Sequence, residues 1–311
     1  MLEFMNFLFR IYRILVQFLC IPVFVSEFFR TETGRDYGIT YAAKFGLLFK
    51  MAYNNSRIDS GSSFIEHLIM ATSLLRIPRP MEGCVVECGT YKGVSATNLS
   101  LICGLMGRKL EIFDSFEGLP EPTEKDKSHA ILDTQELHTY QKGWWAGSIE
   151  EVRATITRYG NINACIFHKG FFDTTLPGFK EKCVQIFVDV DYVSSLETCL
   201  MYLWPLLQNG CYLYTHEAQH AEIAQLFYSE NWWLSYLKIV PPGLIGAGTG
   251  LGLKILTGSH FTSAMGYTIK NPQLADFRRF EQVGGLKLDL SATGKLTKPG
   301  AMFGSENKDA R

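Results

Sequence analysis

No two cysteines in this 311-residue chain stand as a CxxC pair, although there are eight of them. They fall singly, mostly inside apolar runs: Cys20, Cys84, Cys88, Cys103, Cys165, Cys183, Cys199 and Cys211. A zinc cluster needs close pairs and a disulfide scaffold is short and cysteine-dense, so the pattern reads as reduced core thiols in a cytoplasmic setting. Charge of one sign is lacking too. Thirty Lys and Arg face 31 Asp and Glu, a formal net charge of −1, which offers no field to a nucleic-acid backbone and no acidic tail. Nor does the N-terminal segment hold an uncharged run of bilayer-spanning length: its longest, Ile14 to Ser26, is shorter than the ~18–20 residues a span needs. A signal peptide fits poorly, since Glu3 comes first and Glu27-Phe28-Phe29-Arg30 stands where small residues would mark cleavage. No GKS/T P-loop occurs, and no GxGxxG follows the first strand, so nucleotide phosphates are poor ligands.

The chain does hold ample core material, 47% apolar residues, and an aromatic excess at its start. Seven of its 22 phenylalanines (Phe4, Phe7, Phe9, Phe18, Phe24, Phe28, Phe29) lie in the first thirty residues. There, Glu3, Asn6, Arg10, Arg13 and Gln17 recur at three- and four-residue spacing, one polar stripe on an otherwise apolar helix. Two readings stand: a helix in the membrane interface, with peripheral contact at the inner membrane, or one buried against its own domain or a second subunit of a homo-oligomer. Helical periodicity then continues through residues 31–80, with a Ser-x-x-Glu capping box from Ser63 to Glu66. From Cys84 onward short apolar runs alternate with helical ones, the pattern of a parallel, doubly wound sheet. Such a sheet takes its ligand beyond the carboxyl ends of its strands, where this chain is unusually polar. The first run ends in Glu87-Cys88-Gly89-Thr90-Tyr91-Lys92-Gly93, a tight turn whose glycines let a backbone approach a ligand, or merely close a corner. The second ends in Asp114-Ser115, placed to hold a ribose diol or to cap a turn.

Taken in order, GCVVECGTYKGVSA, IFDSFEGLPEP, HKGFFDTTLP and FVDVDYVSSLETCLMYLWPLLQNG resemble the successive blocks of the macrocin O-methyltransferase family over roughly residues 77–217. The resemblance implies a Rossmann-like class I methyltransferase with a seven-stranded, mostly parallel sheet and extra N-terminal helices. It also implies S-adenosylmethionine as methyl donor, a divalent metal, usually magnesium, and a sugar hydroxyl as acceptor. Position by position, Glu87, Gly89, Thr90, Tyr91 and Gly93 would flank the methionine part, Asp114 and Ser115 the ribose, and Gly170-Phe171 the adenine. Asp189 and Asp191 match the family's DxD block. Where the family closes its fifth strand with Asp-Asp, this chain has His216-Glu217.

Methyl transfer to an alcohol needs the hydroxyl proton removed or the alkoxide stabilised as it forms. Asp189, His216 and Glu217 would hold the metal and Asp191 or His216 would take the proton, so Asp189, Asp191 and His216 are the catalytic candidates. An imidazole ligand moves the preference from magnesium toward manganese, iron or zinc. The same residues spell a rival, because His216-Glu217-Ala218-Gln219-His220 satisfies the HExxH zinc-peptidase pattern, but the preceding run reads as a strand where that motif needs mid-helix. A third reading keeps the fold as a binding module at a membrane surface. Further expectations are a second capping box at Ser148 to Glu151 and a lid or long surface loop between Glu121 and Gly147. Trp232-Trp233 should lie in the core, and His220 on the surface in a first helical turn. Helices are expected over 194–207 and 221–232, closing antiparallel strands over 237–240 and 251–256, and a disordered tail after about residue 286. The chain thus divides into an N-terminal helix (1–30), leading helices (31–80), a methyltransferase domain (81–260) and a C-terminal extension (261–311).

Overall fold

A computed structural model describes residues 21–132, 137–246 and 264–271. Residues 21–29 are helical and dock through Phe28, which is fully buried, and through Glu27, whose carboxylate accepts from Arg76 at 2.8 Å. Among the described residues no helix is long and apolar enough to cross a membrane. Two leading helices follow, α1 (Tyr41–Arg57) and α2 (Phe64–Leu75). The Ser63 capping box is complete, with Ser63 Oγ accepting from the Glu66 amide and the Glu66 carboxylate accepting from the Ser63 amide.

The core strands are β1 (Cys84–Cys88), β2 (Leu110–Asp114), β5 (Cys165–Lys169), β6 (Cys183–Val188) and β7 (Leu207–Thr215), all mutually parallel, with β8 (Gly266–Ile269) antiparallel on β7. Between them run α3 (Val94–Met106), α4 (Ile149–Tyr159), the single turn α5 (Phe172–Thr175), α6 (Val193–Leu203), α7 (Ala221–Leu226) and α8 (Glu230–Tyr236). The sheet order is β5-β2-β1-β6-β7-β8. β1 and β6 are buried at every position, as central strands covered by helices on both faces must be. The chain winds outward from β1 through β2 to β5, then crosses to β6 and winds the other way. Its reversal point therefore lies between β1 and β6.

Several boundaries differ from the sequence reading, each for a local reason. Six strands, not seven, make the sheet among the described residues, and its edge strand β8 lies past residue 260. Residues 237–240 form no strand, while 251–256 and the tail after 286 lie outside the described residues. The helix expected over 194–207 stops at Leu203, because Pro205 has no amide hydrogen with which to continue the helical ladder. Lys270 then satisfies the freed carbonyls, donating to Trp204, Pro205 and Leu207 at 2.7–3.0 Å. The helix expected over 221–232 breaks into α7 and α8, and the buried Trp233 indole donates to the Leu226 carbonyl exposed by the break. Trp232 and Trp233 are core residues, as expected. Ser148 accepts from the Glu151 amide and caps α4. The insertion after Glu121 is no loose loop: β3 (His129–Ala130) and β4 (Leu137–His138) pair in it as a hairpin. That hairpin is fastened to α7, with the Ala130 amide donating to Glu222 at 3.0 Å.

Candidate active site

Parallel register carries the strand ends into one row. Past β1, the Asp189 amide donates to the Cys88 carbonyl at 2.9 Å, and past β6 the His216 amide donates to the Val188 carbonyl at 3.0 Å. Gly89, Asp189 and His216 therefore stand side by side at the reversal point of the sheet. Gly89 sits at φ +82°, and a Cβ there would lie 1.8 Å from the Asp189 carbonyl oxygen, so only glycine lets the two loops pass this closely. Above this row opens a cavity of about 690 Å³, in the range of small-molecule sites.

Of the residues expected to hold the cofactor, Gly89, Thr90, Tyr91, Asp114, Ser115 and Phe171 line that cavity. Glu87, Gly93 and Gly170 are not among its lining residues. Gly93 precedes α3 at φ +84°, where a Cβ would meet Val152 at 2.9 Å, so it lets α3 and α4 pack closely. Gly170, at φ +144°, turns the chain out of β5, its amide on the Asp114 carbonyl. Asp114 caps its turn, one of the two readings offered for it. It faces the cavity, and its carboxylate also accepts from the amides of Thr90 at 2.7 Å and Phe116 at 2.6 Å. Burial raises its carboxyl above the usual carboxylate range despite those bonds.

Glu87 is fully buried behind the wall. One carboxylate oxygen accepts from Ser95 Oγ, and the other has no partner. Burial pushes its carboxyl from 4.5 up to about 8, against the lowering pull of Ser95. The folded state thus binds this proton more tightly than the unfolded chain does. The stability it contributes is full below pH 4.5, falls as pH rises, and is gone above about 8. Glu87→Gln removes that slope. In urea denaturation of the ligand-free protein, the variant should gain on the wild type by on the order of 4 kcal/mol between acid and alkaline pH. Parallel pH profiles would contradict this assignment.

At the reactive end, Asp189, His216 and Glu217 offer ligand atoms that all lie within 4.8 Å of one another. His216 Nδ1 is 3.4 Å from Asp189 Oδ1 and 3.9 Å from Glu217 Oε1, and its Nε2 is 3.6 Å from Glu66 Oε2. Burial lowers the imidazole's proton affinity, but Asp189 and Glu66 outweigh it and hold the ring well above its usual value. Burial, then repulsion from Asp189 and Asp191, pushes the Glu217 carboxyl well above the carboxylate range. Its Oε1 is buried with no hydrogen-bond partner. Asp191, at φ +58°, is pushed up to about 7 by burial and by Asp189, and it hydrogen-bonds the Tyr140 phenol. The cluster is short of positive charge and carries an orphaned carboxylate oxygen, so it suits a cation. Two carboxylates and one imidazole fit manganese, iron or zinc at least as well as magnesium.

The peptidase reading fails on geometry. His216 follows the last residue of a strand, and His220 lies outside the metal-competent cluster, its Nε2 3.3 Å from the Tyr140 hydroxyl. His220 is also buried rather than on the surface, capping α7 beneath the hairpin. Two residues escaped the sequence reading. Glu66 looked like a cap alone, yet its other oxygen accepts from the amides of Ala264 and Met265 while its charge faces His216. Tyr140 lay in an insertion whose pairing no local pattern announced.

Residues 61–229 match the family model described as macrocin-O-methyltransferase. Among solved structures, the O-methyltransferase NovP aligns at 17% identity over 68% of this chain and 83% of its own, with a TM-score of 0.50, a likeness of fold. The calicheamicin methyltransferase CalS11 aligns at 14% identity over 74% of this chain and 93% of its own, with a TM-score of 0.45. A Podospora anserina methyltransferase, PaMTH1, solved with S-adenosylhomocysteine bound, aligns at 18% identity over 55% of this chain and 62% of its own, with a TM-score of 0.36. No curated protein matches the chain.

Proposed function

The chain belongs to the macrocin-O-methyltransferase family and is an S-adenosylmethionine-dependent O-methyltransferase, and from that premise we propose that it methylates a sugar hydroxyl with the help of a divalent cation held by Asp189, His216 and Glu217. The observation that carries the reading is the row of strand ends, which sets an acid-and-imidazole cluster at one wall of the cavity and the Gly89 turn at another. S-adenosylmethionine supplies a methyl group on a positively charged sulfur, an activated leaving group. The Gly89-Thr90-Tyr91 turn receives its methionine part, Asp114 and Ser115 the ribose, and the exposed Phe171 ring the adenine.

The cation, when bound, favours the alkoxide form of the acceptor. This chain's residues do the rest. Asp191 accepts the hydroxyl proton, and Tyr140 orients the Asp191 carboxylate. As the oxygen–methyl bond forms, the sulfur–methyl bond breaks with its electron pair left on sulfur. In the metal-free protein the His216 imidazolium supplies the positive charge among these acids, so cation binding must displace its proton. Activity is therefore expected to vanish on chelation and to return with manganese or iron at least as well as with magnesium. The check is methyl incorporation from labelled S-adenosylmethionine into a panel of free and lipid-linked glycans. Full activity in chelator, or calorimetry showing no S-adenosylmethionine binding, would overturn the reading.

A further inference from the structure

The exposed face of α1 carries an aromatic ladder that the catalytic site does not use. Tyr41, Phe45, Phe49 and Tyr53 recur every fourth residue, on one ridge of the helix. They are 53%, 52%, 70% and 51% exposed, an unusual cost in water for a helix whose other face is well anchored. That anchoring is polar and buried: Asn54 donates to Asn98 at 2.8 Å, and His67 joins Asn55 at 3.0 Å and Ser62 at 2.8 Å. The ladder is thus presented by a fixed helix. It continues into the N-terminal helical stretch, where the Phe29 ring lies 4.5 Å from Phe45 and 6.4 Å from Tyr41.

Charge selects the occupant. α1 contains no Asp or Glu at all. Its three cations divide: Lys44 turns inward to the Arg30 carbonyl at 2.7 Å, while Lys50 and Arg57 are exposed, Arg57 closing the ridge with its guanidinium 5.2 Å over the Tyr53 ring. A second copy of this helix would bring no acid to meet those cations. Anionic headgroups would meet them, with phenylalanines at the centre of the ridge entering the acyl boundary and tyrosines at its ends staying at headgroup level. The geometry points to α1 as a docking surface for an anionic lipid bilayer, in addition to whatever residues 1–20 contribute. The segment after α1 leads straight to the cavity: Asp59 accepts from the Tyr91 hydroxyl at 2.8 Å, and Gly61 lines the wall. A bilayer on this face lies beside the mouth of the site, so the acceptor is a glycan carried on a membrane lipid. Only that last step rests on the methyltransferase reading.

The test uses the full chain, without S-adenosylmethionine, sedimented with phosphatidylcholine vesicles with and without phosphatidylglycerol. The wild type should partition preferentially onto the anionic vesicles. The double variant Phe45→Ser/Phe49→Ser should lose at least about tenfold in partition while binding S-adenosylmethionine as before in calorimetry. Phe49→Trp should add indole emission that brominated lipid quenches. The proposal fails if the double variant partitions within about twofold of wild type and the new tryptophan is unquenched. It fails equally if light scattering shows the double variant breaking an oligomer while vesicle binding is unchanged, which would assign the ladder to a second copy. Loss of S-adenosylmethionine binding by the wild type would strike the enzymatic reading and leave the vesicle result standing.

Discussion

Asp189→Asn is expected to lower kcat by about a thousandfold while changing the affinity for S-adenosylmethionine only a few-fold. The substitution preserves shape and removes one charge, so the loss measures electrostatics rather than folding. Asp189 is the hub of the cluster. It faces His216 at 3.4 Å, and its charge raises the carboxyls of Asp191 and Glu217. Without it, the proposed cation loses one of its three ligands and His216 loses its largest upward influence. The variant should therefore show both a slower methyl transfer and an imidazole that releases its proton at lower pH, the second readable by NMR of the ring. A kcat within tenfold of wild type would remove Asp189 from the catalytic centre.

Gly89→Ala should be severely damaging, because among the described glycines Gly89 leaves the least room for a Cβ. The new Cβ would stand 1.8 Å from the Asp189 carbonyl oxygen and 2.9 Å from its carbon, both backbone atoms that no rotamer change can move aside. Left-handed backbone at φ +82° adds its own strain. The control is Gly38→Ala, also left-handed at φ +67° but with nothing within 4 Å of its Cβ; it should cost about 1–2 kcal/mol, the conformational strain alone. Gly89→Ala should cost at least about 3 kcal/mol in urea denaturation and abolish S-adenosylmethionine binding, because the two loops that meet at the reversal point are forced apart. If the two variants lose the same stability, the contact between Gly89 and Asp189 is not what fixes this glycine.

Much of this architecture was legible in the chain itself. The central strands β1 and β6 are short apolar runs bounded by turn residues, and a strand buried on both faces has no other way to be written. The same holds for Asp189, His216 and Glu217, since a polar residue directly after an apolar run must lie at a strand end. Their assembly into a metal-competent cluster was implied by resemblance alone. What misled was short-range inference at element ends. Pro205 and the Trp233 indole decide where α6 and α7 stop, the first by lacking an amide hydrogen and the second across a break in the helix. His220 sat in a peptidase pattern that its neighbours 216–219 satisfied on paper, yet the β3–β4 pair and the bridge from Ile131 bury it elsewhere.

By itself the sequence determined the class of fold and the row of polar strand ends, because each is carried by periodicity and by residues next to one another in the chain, while the methyl-transfer chemistry was implied by the resemblance of its successive blocks to a known family. Only the tertiary structure decided which of those residues face the cavity, that Glu66 and Tyr140 join them, and that Glu87 stands behind the wall. These depend on contacts between segments far apart in sequence, such as Glu66 with the amides of Ala264 and Met265. Burial and charge proximity, which set the proton affinities of the site, come into being only when the chain has closed on itself.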